Sequence, residues 1–531
     1  MSSRAPVPVS SPTPRRRYHV RWFPALAFFA PAAAAAAVAA WGWRTGRLLL
    51  YGDATAHLMI ARRMLDSATP GLAQWGSVWL PFPHLLMAPW AQVNALWRTG
   101  LAGSMVSIAA FGLATLFLFR IAERHAGRAA AVAAALIFLL NPNLLYLAAV
   151  PMTETVYLAC FLGMCDQISA WACGAGRAGF RPAWLAGAWA LGGALTRYDG
   201  WFVLPFAAAA LALAAAPDWR RAWSAAWRFS LVAGAGPLFW VSYNAFFFSD
   251  WLYFARGPYS ARQIYLRALR HGGQRYPGDH DWLVAAHYFL KAVELDCGLF
   301  LLGLGTLGLA VWLLRRRSAF VPLLLWLPLP WYLWAMWTGN VPIFVPMYWP
   351  HGYYNLRYGV QLLPALALFA AWLGYGLYRR LGGVGRARWA AAALACAILL
   401  GDAGMFRGRG PLVYAEAAYN STTRLAMERR LAVALRRVPP GEKILMYIGT
   451  FPGALADDGI DLKRVINESN FRLWERALQQ PQRYVSWVVL ENHTWLARDV
   501  NRQALALDFQ PAARLRVAGQ HAITLYRRRQ P

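Results

Sequence analysis

The sequence predicts an all-α polytopic membrane protein of about eleven transmembrane helices, followed by a small C-terminal α/β domain. Three observations carry this. Apolar runs close to the roughly twenty residues needed to cross a bilayer recur along residues 22–402. Short arginine-rich loops fall at every second connection. After about residue 440, brief β-branched runs replace the long apolar ones. The totals agree: 58% of the 531 residues are hydrophobic and 28 are Trp, which is not the balance of a soluble globular chain.

The net charge of +29 does not point to nucleic acid, because the basic residues are scattered between apolar runs. Only Lys291, Lys443 and Lys463 are lysines, as a GC-rich bacterial genome would encode, so a lone Arg says little. The five cysteines (Cys160, Cys165, Cys173, Cys297, Cys396) lack ligand spacing and read as small buried hydrophobes, and no metal motif is visible. Residues 1–14 are Pro-rich, and with Arg15-Arg16-Arg17 and Arg21 they make residues 1–21 a disordered basic tail ahead of a retained first span.

Spans are expected at about 22–43, 101–119, 129–149, 153–171, 184–197, 201–216, 229–248, 297–314, 319–337, 358–378 and 387–402. Six basic stretches punctuate them: Arg15–Arg21, Arg120/Arg124/Arg128, Arg177/Arg181, Arg220/Arg221/Arg228, Arg315-Arg316-Arg317 and Arg379/Arg380/Arg386/Arg388. Short basic loops stay cytoplasmic, which places the N-terminus inside and the remaining loops outside. Those outer loops (about 44–100, 141–154, 196–200, 249–296, 338–357 and everything after 403) hold almost every unusual polar motif. Charged groups near membrane depth are costly and usually face a water-filled cavity, so this grouping predicts an outward-opening polar hollow. Within residues 403–531, strands are expected at Lys443–Ile448 and Tyr484–Leu490, and a helix inside 454–480. A hairpin is expected over Leu515–Tyr526 around Ala518-Gly519-Gln520. This outer-face domain reads as acceptor handling or scaffolding.

The polar motifs are Gly52-Asp53-Ala54-Thr55-Ala56-His57, Trp79-Leu80-Pro81 ahead of His84, Pro151-Met152-Thr153-Glu154, Thr196-Arg197-Tyr198-Asp199-Gly200 and Tyr354-Asn355-Leu356-Arg357-Tyr358. Together with the topology of residues 22–402, they resemble the GT-C fold glycosyltransferases. These membrane enzymes take a sugar from a polyprenyl-phosphate carrier at the outer leaflet. They include the protein O-mannosyltransferases and the aminoarabinose transferase that modifies lipid A. The resemblance implies amphipathic juxtamembrane helices in the first outer loop, with Asp53 as catalytic base and Arg357 on the donor phosphate. Family members often have Asp-Glu where this chain has Asp53-Ala54, so a second carboxylate must come from Glu154 or Asp199.

The chemistry needs a group that accepts the acceptor's proton, preorganised positive charge on the leaving phosphate and exclusion of water. No metal is strictly required by this chemistry, the sequence does not fix whether one is used, and the one small molecule assigned is the polyprenyl-phosphate-linked sugar as donor. Each residue also has a structural reading. Asp53 fits a helix N-cap, and Glu154 fits a complement to the helix dipole. Arg197 and Asp199 fit a mutual ion pair around Tyr198. His57 orients Asp53 or meets the phosphate, or is an interfacial hydrogen-bonder. His84 would line the cavity, and Arg256 is a second phosphate candidate. Trp75, Trp79, Tyr348, Trp349 and their neighbours belong first to the interfacial aromatic belt. The expected function is an inverting sugar transfer to a hydroxyl acceptor at a bacterial inner membrane. A transporter or flippase with an outward cavity is the competing reading, although no internal repeat supports it.

Overall fold

The computed structural model describes residues 22–529 apart from 175–178, 271, 316–319, 382–384, 386–388, 390–395, 399 and 406–409. The basic tail and most of the span expected at 387–402 therefore lie outside the described residues. Helices dominate. Helix α1 (Trp22–Arg44) leads to the first loop, which holds α2 (Gly52–Arg63), α3 (Phe82–Ala91) and α4 (Asn94–Thr99). The bundle follows with α5 (Leu101–Ala126), α6 (Arg128–Leu140), α7 (Pro142–Ala149), α8 (Glu154–Ala172), α9 (Arg181–Ala194), α10 (Asp199–Ala215) and α11 (Trp219–Phe248). After the short α12 (Tyr253–Arg256) and α13 (Ala261–Arg270) come α14 (Trp282–Cys297), α15 (Leu299–Arg315), α16 (Pro328–Trp337) and α17 (Leu363–Arg380). Helix α18 (Leu412–Leu435) then crosses to the C-terminal sheet.

Among the described residues, four helical segments are long and apolar enough to cross a membrane: 22–44, 101–126, 219–248 and 356–380. Two bent pairs raise this to six, and 199–215 and 321–337 are shorter apolar helices. The run 129–149, expected as one span, bends by 66° because Asn141 caps a new helix: its side chain accepts from Leu144 N at 2.9 Å, and Pro142 follows at the first helical position. A sharper bend of 111° separates α14 from α15 at Gly298, whose φ of +90° suits glycine. The expected basic loop at 220–228 is instead the start of α11, because Asp218 caps that helix at Arg221 N.

Helix α8 is the buried centre, packed against α5, α9 and α10. Small residues permit this closeness. A Cβ on Gly163 would sit 2.6 Å from the Trp189 ring, and one on Gly112 of α5 would sit 2.9 Å from the Phe28 carbonyl of α1. The two acids of α8 lie far apart. Asp166 pairs with Arg124 at 2.5 Å, whereas Glu154 stands twelve residues earlier, about 18 Å along the axis. One helix thus separates the arginine-marked loop from the polar end.

The C-terminal sheet has the order β2-β1-β3-β5-β4, with β1 (Ile444–Met446), β2 (Val465–Ile466) and β3 (Trp487–Glu491) parallel. Strands β4 (Phe509–Leu515) and β5 (Ile523–Arg528) form an antiparallel hairpin whose turn contains Gly519, as the sequence predicts. Residues 453–458 and 472–479 are helical. Helix α18 ties the two halves together: Val413 and Ala417 enter the bundle core, whereas Met427 and Leu431 enter a second core. That second core also holds Leu58, Met59 and Ala61 of α2, so the sheet domain is docked on the first loop. Polar contacts fix the docking. Asn470 Nδ2 donates to Ser67 Oγ (3.1 Å) and Thr69 Oγ1 (2.7 Å), Gln74 Nε2 donates to Ser469 O (2.9 Å), and Lys463 N donates to Asp66 Oδ1 (3.0 Å).

Burial at this junction pushes Glu468 up to about 7, and burial at the end of β3 does the same for Glu491. An acid raised on folding stabilises fully below its unfolded value and loses that contribution as pH rises through the folded one. The protein's thermal midpoint in detergent should therefore fall between pH 5 and pH 8. Glu468→Gln should reduce that fall and Glu468→Gln/Glu491→Gln should reduce it further, as read by scanning calorimetry across the pH series.

Candidate active site

Asn355 takes a left-handed conformation (φ +57°), which turns its backbone N–H onto Glu416 Oε1 at 2.9 Å. The chain then enters a tight 3₁₀ segment, Leu356–Leu362, that carries Arg357 inward. Three carboxylates from three helices meet its guanidinium. Nη2 lies 2.6 Å from Asp53 Oδ2 (α2), Nε 3.0 Å from Glu154 Oε1 (α8) and Nη1 3.4 Å from Glu416 Oε1 (α18). The rings of Tyr51 and Tyr358 cover the guanidinium at 5.0 and 5.1 Å, and Tyr51 is held by its own bond to Val413 O.

Glu154 Oε1 links this group to a second. Arg197 Nη1 reaches the same oxygen at 3.4 Å, while its Nε donates to both oxygens of Asp199 and its Nη2 to Tyr332 Oη at 2.9 Å. Tyr332 in turn donates to Asp199 Oδ2 at 3.1 Å. Arg197 also lies over Tyr358 at 4.7 Å, so that ring is flanked by two guanidinium groups. Two arginines therefore face four carboxylates, a formal excess of two negative charges. Solvent access distinguishes the acids: the Asp53 side chain is 40% exposed, against 1%, 2% and 4% for Glu154, Glu416 and Asp199.

The other expected residues divide. Asp53 is the second residue of α2, whose N-cap position belongs to Tyr51 without a side-chain cap bond, so the capping explanation does not apply. His57 does not turn to Asp53. Its Nδ1 lies 2.9 Å from His84 Nε2, and its ring packs on Trp79 at 4.5 Å. Burial lowers His57 to about 4, so this pair is neutral near pH 7 and presents no cation to a phosphate. Tyr198 locks a loop to the bundle, donating to Val78 O at 2.6 Å and accepting from Trp240. Arg256 is exposed on α12 and makes none of the cluster's ion pairs. Tyr354 is half exposed, pairs with Phe344 through an isolated bridge and feels the charge of Asp53. Glu416 is the residue the sequence reading missed. Its signal was a lone acid in the apolar run Leu412-Val413-Tyr414-Ala415-Glu416-Ala417. Among the described residues no three His, Cys, Asp or Glu side chains are grouped to hold a metal ion.

No family model and no curated protein matches the sequence. Solved structures do match it. ArnT from Cupriavidus metallidurans bound to undecaprenyl phosphate aligns over 93% of this chain and 97% of its own, at 13% identity and TM-score 0.55. Its apo state aligns over 94% and 98%, at 15% identity and TM-score 0.53. The apo oligosaccharyltransferase of Archaeoglobus fulgidus aligns over 89% and 70%, at 12% identity and TM-score 0.53.

The fold is the GT-C fold. Within it, the Arg357 cluster joins the first loop, the helical bundle and α18, three parts that the chain brings together from residues 53, 154, 357 and 416. Arg357→Ala should destabilise this GT-C chain by about 3–5 kcal/mol, because it strands two buried carboxylates. Arg357→Lys should recover little, since an ammonium cannot reproduce the planar fork. Asp53→Asn, at the exposed end, should stay within about 1 kcal/mol of wild type. Denaturant unfolding of the three variants checks the ranking.

Proposed function

We propose that the protein is a membrane glycosyltransferase that moves a sugar from a polyprenyl-phosphate carrier to a hydroxyl acceptor at the outer leaflet, with inversion. The observation that carries this reading is Asp53: it is the only acid of the cluster open to solvent, and it is held 2.6 Å from a buried guanidinium. Fold likeness to ArnT, whose structure holds undecaprenyl phosphate, agrees with it. We assign about eleven spans, an inside N-terminus and a bacterial inner-membrane location, with the sheet domain of residues 403–531 on the outer side.

The reaction follows from the charges. The donor phosphate takes Arg357 Nη2 from Asp53, and Glu154 and Glu416 keep the guanidinium in place. Asp53, freed from its cation, becomes more basic. It accepts the acceptor's hydroxyl proton while that oxygen attacks the anomeric carbon from the side opposite the phosphate. The sugar–phosphate C–O bond breaks, and its electron pair leaves on the polyprenyl phosphate, whose new charge Arg357 stabilises. Glu154 acts as the second carboxylate by fixing both arginines; Arg197 and Asp199 line the sugar side with Tyr354, and His84 backs the cavity wall through His57. Under this reading Arg256 has no contact with the donor.

A transporter is disfavoured by the way its candidate gates are filled. The breaks at α6–α7 and α14–α15 are pinned to each other, because Asn141 and Asn143 both donate to the backbone O of Asp296 at 2.8 and 3.1 Å.

Purified protein with a panel of radiolabelled polyprenyl-phosphate sugars tests the proposal. Asp53→Asn should lower kcat by about 10²–10⁴-fold with donor binding retained, and equal turnover would remove Asp53 from the mechanism. Cysteines placed at 53 and 354 should both react with an impermeant maleimide from the outer face of intact cells. Labelling from opposite faces would end the outer-leaflet assignment.

A further inference from the structure

A second cationic feature lies away from Arg357, on the opposite flank of α18 and its C-terminal cap. Arg429, Arg430, Arg436 and Arg437 are all exposed there. Two clefts open beside them. One, of about 600 Å³, is lined by Arg98, Thr99, Arg429, Arg436 and Asp457. The other, of about 370 Å³, is lined by Arg429, Arg430, Arg437 and Leu515. Arg429 and Val433 line both, so the two form one groove bending around Val433, which is 59% exposed.

The groove's charge is poorly compensated within the protein. Arg436 pairs with Asp458 at 3.1 Å, but Arg98 donates to the backbone of Asp457 and Arg430 to the backbone of Arg516. The guanidinium groups of Arg429 and Arg437 donate to no protein acceptor among the described residues. Asp457, the one acid in the lining, faces Arg429, Arg98 and Arg436 together.

The depth of the groove follows from its neighbours. Arg98 and Thr99 end α4, and Gly100 turns at once into α5, one of the four helices fit to cross a membrane. Just upstream, α3 and the residues after it expose Leu85, Leu86, Trp90 and Val93. An exposed apolar face of this kind suits a helix lying in the lipid interface. The groove therefore opens at headgroup level, with the guanidinium groups and Val433 on the α18 wall and Ala513 and Leu515 of β4 across from them.

We propose that this groove seats the phosphate headgroup of an anionic phospholipid from the surrounding leaflet. The arginines meet the phosphate oxygens, and the apolar wall meets the glycerol and first acyl methylenes. The lipid would hold α18 and α4 at a fixed height, independently of the reaction at Arg357.

The test is native mass spectrometry of delipidated full-length protein titrated with phosphatidylglycerol or phosphatidylcholine. Wild type should bind phosphatidylglycerol more tightly. Arg429→Gln/Arg436→Gln/Arg437→Gln should weaken that lipid by about 100-fold, roughly fivefold per charge removed, with phosphatidylcholine unchanged. Equal affinity of wild type for the two lipids, or unaltered phosphatidylglycerol binding by the triple variant, overturns the proposal. Displacement of the lipid by excess inorganic phosphate also overturns it, because the groove would then be a simple anion site. The wild-type comparison does not depend on how the triple variant folds, and Arg437→Gln alone, at an exposed side chain, supplies a milder second variant with an expected loss of about fivefold.

Discussion

The buried guanidinium of Arg357 is the constraint on which the polar end of this bundle depends. Taking a charge out of water costs several kcal/mol even after relaxation, and that cost is offset only where good geometry surrounds the ion. Arg357 finds such geometry by drawing Asp53, Glu154 and Glu416 from three helices onto the edges of one plane, while two tyrosine rings close its faces. Removing the guanidinium would leave Glu154 and Glu416 as poorly matched ions inside the protein, whereas Asp53 could turn to solvent. The first loop, the bundle and α18 are thus held in register by electrostatics as well as by packing. The shared oxygen of Glu154 extends the same requirement to Arg197, Asp199 and Tyr332.

Much of this was legible because polar outliers in apolar surroundings are few. Asp53, Glu154, Arg197, Asp199 and Arg357 each stand at the end of an apolar run, and the arginine loops assign all those ends to one side. The structure brings the five together. What the sequence does not carry is the direction of a side chain. Tyr198 sits between Arg197 and Asp199 yet turns to Val78 and Trp240, and His57 is one helical turn from Asp53 yet bonds His84. Glu416 escaped for a different reason. It lies in a helix shared by two cores, and a boundary drawn at about 403 hid its membrane-side half. The bend at Asn141-Pro142 was written plainly, as a cap residue followed by a helix-starting proline, but uniform hydrophobicity across 129–149 masked it.

The sheet domain gains its relation to the site through α18 and α2 together. Its core includes the buried face of the helix that carries Asp53, and its capping-box residue Asn470 reaches the loop that follows that helix. A change in how the domain docks would therefore move α2, and with it the distance between Asp53 and Arg357. This gives scaffolding a physical meaning: the domain fixes the height and tilt of the acid that the proposed chemistry uses.

Under the proposed function, in which Arg357 meets the donor phosphate and Asp53 is the base, the charge excess decides how an anionic donor can enter. Four acids and two arginines leave the site formally two charges negative before any substrate arrives. A phosphodiester adds another negative charge, and beside such buried groups that charge is tolerated only with a cation already at hand. Arg357 is that cation, but all its edges are occupied. Glu154 and Glu416 have no access to water and cannot leave. Asp53 has such access, and its carboxylate can exchange the guanidinium for solvent or for an acceptor hydroxyl at modest cost. In the proposed reaction the entry of the phosphate and the release of Asp53 are then one event, which withholds the base until the sugar is in place.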